Sequence, residues 1–89
     1  MPLYLKDPDA VLDYGVDWSA WLSEGEAITA SNWTVPSGIT KDSQSHSGSD
    51  ATVWLSGGTT GLSYEVTNRI TTNQGRTDDR SIQIVVRDR

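Results

Sequence analysis

The chain predicts an all-β fold: an immunoglobulin-like β-sandwich of about six or seven antiparallel strands with an extended N-terminal arm. Three observations carry that prediction. Residues 61–71 place Leu62, Tyr64, Val66, Asn68 and Ile70 on one side, and Ser63, Glu65, Thr67, Arg69 and Thr71 on the other. Residues 80–87 put Ile82, Ile84 and Val86 on a single side. Between them, Asn73, Gln74 and Gly75 supply residues that tolerate the positive φ of a hairpin turn. Period-two alternation on both sides of such a turn marks an antiparallel pair with one buried face.

The remaining elements follow in chain order. Residues 1–11 lack a sustained period and carry Pro2 and Pro8, each of which removes a backbone donor and biases its predecessor toward extended geometry. They read as an extended arm that pairs at an edge or against another molecule. Pro2, Leu3, Tyr4 and Leu5 are its candidate protein-contact residues, because that apolar run exceeds what a solvated tail needs. A single sandwich domain then spans residues 12–89.

Leu12, Tyr14, Val16 and Trp18 alternate with Asp13, Gly15 and Asp17, which gives a first strand. Residues 19–25 form either a helical turn capped by Ser19 or a loop packing Trp21 and Leu22 over one end. Residues 26–35 read as the next strand, although Ala27, Ile28, Trp33 and Val35 do not keep one parity. A bulge near Ala30 and Ser31 reconciles Ile28 with Trp33. Pro36, Ser37 and Gly38 turn the chain into a weakly patterned strand over 39–45. Residues 42–50, with four serines, read as a flexible turn or loop. Ala51, Val53 and Leu55 then oppose Thr52, Trp54 and Ser56, and residues 57–61 connect tightly into the long strand.

Eighty-nine residues make one small domain, burying roughly 60–65% of the surface its unfolded chain exposes. Without cysteine there is no disulfide, thiolate metal site or cysteine nucleophile, which argues for intracellular synthesis. No apolar stretch approaches the roughly 18 residues of a membrane span, and no basic-then-apolar start predicts a signal peptide. A net charge of −5 opposes nucleic-acid binding, which needs a positive surface to release counterions from phosphates. Arg69, Arg76, Arg80, Arg87 and Arg89 gather late, but Asp78, Asp79 and Asp88 among them predict a mixed, solvated surface.

Reaction chemistry finds little support. His46, the only histidine, sits among Ser43, Ser45 and Ser47 without the orienting group and oxyanion donors that nucleophilic catalysis needs. Asp7, Asp9, Asp13 and Asp17 invite a calcium reading, but Asp13 and Asp17 spread along a strand instead of converging. Residues 32–34 match a glycosylation acceptor, incidental without a secretory signal. No residue is therefore assigned to catalysis, a metal or a cofactor.

Four tryptophans and no phenylalanine are the compositional anomaly. Trp54 has the parity opposite to Val53 and Leu55, which makes it the candidate exposed aromatic contact. Tyr64, near the start of a long late strand, suits a hydroxyl that ties down a corner of the sandwich. The alternative function is a carbohydrate-binding or adhesion module stacking indoles on sugar rings, which predicts a coplanar exposed pair.

Residues 6–14 (KDPDAVLDY), 17–22 (DWSAWL), 33–38 (WTVPSG), 64–72 (YEVTNRITT) and 75–81 (GRTDDRS) resemble small virion proteins of tailed phages, some described as fiber-tail adaptor proteins. The likeness covers nearly the whole chain except residues 40–49. It implies a non-enzymatic structural virion protein, made in the bacterial host cytoplasm, that connects or decorates neck and tail components. It brings no catalytic residues and no cofactor. The partners it implies are other virion proteins (adaptor, neck, tail or fiber), engaged by several copies in a ring, with no nucleic acid and no membrane.

Overall fold

The computed structural model describes residues 2–88. Seven strands form two sheets: β1 (Leu3–Lys6), β2 (Leu12–Asp17), β3 (Ile28–Thr34), β4 (Ile39–His46), β5 (Asp50–Gly57), β6 (Ser63–Thr72) and β7 (Thr77–Val86). One sheet runs β1-β7-β6-β3 and the other β2-β5-β4. The fold is all-β, as the alternation predicts, and the two-layer order is compatible with an immunoglobulin-like sandwich.

Two-residue periodicity decides the core. Tyr64, Val66, Asn68, Ile70 and Thr72 of β6 face inward beside Ile82, Ile84 and Val86 of β7. Ala51, Val53 and Leu55 of β5 meet them from the other sheet, with Trp18 and Trp33 filling the space between. Leu62, grouped with the buried set in the sequence, precedes β6 in a turn and is 52% exposed. The β6–β7 turn closes with Thr72 N–H and Arg76 C=O at 2.9 Å, and Gly75 alone takes a positive φ.

The parity change in β3 is a register shift between Ile28 and Ala30, one residue earlier than expected. It lets Ile28 and Trp33 both point inward. The serine-rich stretch corrects the loop reading more substantially. Residues 42–46 extend β4, paired with β5 through a second shift between Lys41 and Ser43. The segment lacks apolar alternation because every β4 residue after Ile39 is exposed, so pairing alone keeps it extended.

The arm also proves structured. Leu3 to Lys6 pair with Gln83 to Val86 in parallel, the one departure from antiparallel pairing among the described strands. Its anchor is Lys6, whose Nζ donates to Gly57 C=O at 2.7 Å and Asp7 C=O at 2.9 Å. Burial pulls the pKa of this ammonium below its ordinary value, although Asp7, Asp9 and Asp42 oppose the shift.

Candidate protein-contact surface

The two flanks of the sandwich differ. On one flank the β3 edge meets β4 around a corner. Trp33 N–H donates to Gln44 Oε1 at 3.0 Å, and Lys41 Nζ donates to Trp33 C=O at 3.1 Å. Two β4 side chains thus occupy the main-chain N–H and C=O of Trp33, two of the groups that a further strand would need. Together with two bulges and the polar, exposed β4, they make this flank a poor template for pairing.

The opposite flank, β1 with β2, carries apolar surface. Five of the seven large hydrophobic residues exposed among the described residues lie here: Leu3, Tyr4, Leu5, Val11 and Leu12. Alternation sets their directions. Tyr4 shares the core side with buried Lys6, and its ring lies 5.2 Å from that of Tyr14 on β2. Leu3 and Leu5 take the outer side, level with Gln83 and Val85 of β7. The structure therefore places Pro2, Leu3, Tyr4 and Leu5 together at a sheet edge with more than a third of each large side chain exposed.

Trp54 stands apart from that ridge. It is 41% exposed near the middle of the outer face of β2-β5-β4, between Asp13 and Ser43. Trp18 and Trp33 are buried, and Trp21 packs on the core beneath Arg76, whose Cζ lies 3.9 Å from the ring centre. The coplanar exposed indole pair expected of a carbohydrate platform is not formed by these four residues.

The other polar residues serve architecture. Asn68 accepts from Trp18 Nε1 at 2.9 Å and donates to Ser31 Oγ at 3.0 Å and Asn32 C=O at 3.2 Å, linking β6, β3 and the end of β2. The Tyr64 hydroxyl accepts from Thr59 N–H at 3.0 Å, the expected corner tie. Buried Glu26 receives Arg76, Thr72 Oγ1 at 2.6 Å and Ser23 N–H at 2.9 Å. The Arg76 hydrogen bonds, against the opposing cost of burial, hold its pKa down to about 2. Arg69 pairs with Asp79 at 2.7 Å on the surface and lowers the pKa of that carboxylate. Sequence reasoning missed Lys6, Glu26 and the Asn68 acceptor role, since their partners lie about fifty residues away.

His46 is exposed on β4, and no group of three or more His, Cys, Asp or Glu residues among the described residues converges on a metal site. The fold defines a class, the small all-β module of two packed sheets, here with an apolar edge.

A family model described as "Podophage GP4 fiber-tail adaptor protein gp77" matches residues 6–85, and the chain belongs to that family of structural phage tail proteins. A search of curated proteins found no match.

Proposed function

We propose that this protein acts as a fiber-tail adaptor, joining tail components through its β1–β2 flank, with Trp54 as a second contact. The observation that carries this reading is that five of the seven large apolar side chains exposed among the described residues lie on residues 3–12. Contiguous apolar surface beside a sheet edge marks an interaction site on a small domain. The blocked β3–β4 flank supports the choice of side.

In this reading Leu3 and Leu5 supply desolvated anchors, while main-chain groups along the edge give direction to the contact. The other tail proteins are the partners, and the protein works as a virion component without turning over a substrate. Several copies around a ring multiply one modest contact into a durable joint.

The test is incorporation into tails in a host supplying the protein in trans. Leu3→Asp and Leu5→Asp point outward, so both variants are expected to fold, as circular dichroism will show, and to lose incorporation about thirtyfold, the scale of a 2 kcal/mol hot spot. Trp54→Ser is expected to weaken incorporation without changing the melting temperature. Wild-type incorporation by folded Leu3→Asp and Leu5→Asp proteins would remove the flank from the joint.

A further inference from the structure

β1 pairs with only four of the ten residues of β7. Its pairing ends where Gln83 N–H donates to Pro2 C=O at 2.8 Å, and Arg87 N–H repeats the pattern at the far end with Lys6 C=O at 2.9 Å. Odd-numbered β7 residues therefore turn their N–H and C=O toward β1. In the same register Ser81 C=O would receive a proton from the Pro2 nitrogen, which carries none. Proline chemistry thus takes one bond from the continuation of this ladder. Ser81 keeps both main-chain groups directed at an edge without a strand among the described residues, and the next N–H, from Asp79, is taken by Asp78 Oδ1 at 2.8 Å.

An open groove of about 570 Å³ runs along this uncovered edge, between β7 and the edge of β2. Tyr4, Val16 and Ile82 give it apolar contact, and Gly15 adds no side chain. Two carboxylates, Asp17 and Glu65, line it against one cation, Arg80, among the described residues. That cation is already engaged: its Cζ lies 4.3 Å from the Trp18 ring centre, and it donates to Asp17 C=O at 3.3 Å. A smaller adjoining groove shares Asp17 and adds Asp50, its register partner across β2 and β5. Among the described residues lining the two grooves, three carboxylates thus stand against one guanidinium.

We propose that this groove is a strand-acceptor slot, in which Ser81 pairs with a short extended segment of another protein bearing lysine or arginine. The segment prolongs the line of β1 along β7, with one side chain on the Tyr4–Ile82 surface and its cations toward Asp17, Asp50 and Glu65. The slot is distinct from the outer Leu3–Leu5 ridge, and it stands or falls independently of the function proposed for that ridge.

The probe is an acetylated, amidated Lys-Val-Lys-Val-Lys peptide, titrated into the isotope-labelled protein and followed by amide resonances. The expected result is saturable shifts at Arg80, Ser81, Ile82 and Asp17, weakened by salt, with none from Glu-Val-Glu-Val-Glu. Ser81→Pro removes the slot donor and the 2.8 Å hydroxyl bond to Thr67 but no main-chain bond to β6, and it is expected to abolish those shifts. Glu65→Lys, on an exposed position, is expected to weaken binding several-fold, and it decides the matter if the proline variant does not fold. Equal binding of both peptides, shifts confined to other strands, or unchanged affinity in either folded variant would overturn the proposal.

Discussion

Asn68→Ala tests how the two sheets are held together. The side chain is fully buried, and its amide is the acceptor for Trp18 Nε1 and the donor to Ser31 and Asn32. Truncation leaves the indole N–H buried without its acceptor, which costs about 1–3 kcal/mol. The loss of the remaining bonds, with a small cavity, brings the total to about 2–4 kcal/mol. A chain of 89 residues has roughly 4–13 kcal/mol to lose. At about 4–8 °C per kcal/mol, the melting temperature is expected to fall by roughly 8–32 °C. Urea and thermal denaturation of Asn68→Ala, Trp18→Phe and the double variant give the coupling, expected near 1–2 kcal/mol because phenylalanine removes the stranded donor. Additive single losses, or a total below about 0.5 kcal/mol, would refute the claim that this bond fastens the layers.

Glu26 sets an acid limit. Its folded pKa of about 2 lies below the ordinary 4.5, so its stabilisation is complete above pH 4.5 and disappears as pH falls toward 2. Denaturation midpoints measured from pH 6 to 2 are expected to decline across that window, and Glu26→Gln is expected to start lower and decline less. Gly58 tests local strain: its φ is +98°, and an added Cβ would lie 2.7 Å from Val86 Cγ2. Gly58→Ala is expected to lose about 1–3 kcal/mol by urea denaturation. Gly57→Ala, at φ +77° with nothing within 4 Å of the new carbon, is expected to lose less.

The sequence made the central strands legible because each buries one face. Tyr64 through Ile70, Ile82 through Val86 and Ala51 through Leu55 carry an alternation that their neighbours cannot disguise. Edge strands lack that constraint. The β4 pattern after Ile39 is wholly exposed, so Ser43 and Ser45 resemble a loop even while they pair with Trp54 and Thr52. The exposure of Leu3, Tyr4, Leu5 and Trp54 followed from apolar excess and parity. What those residues touch within the fold did not, because the β1–β7 register joins segments eighty positions apart, such as Leu3 with Gln83. Lys6 illustrates the same limit, since no local pattern foretells a lysine whose ammonium serves Gly57 from within the molecule.

The Lys41 and Gln44 braces on Trp33 have a consequence for growth. With the main-chain groups of Trp33 already taken, a strand added along that border would have to break both bonds, which disfavours growth of a continuous ribbon through both margins. On the function proposed above, the spacing and count of its copies would then be set by the proteins it joins.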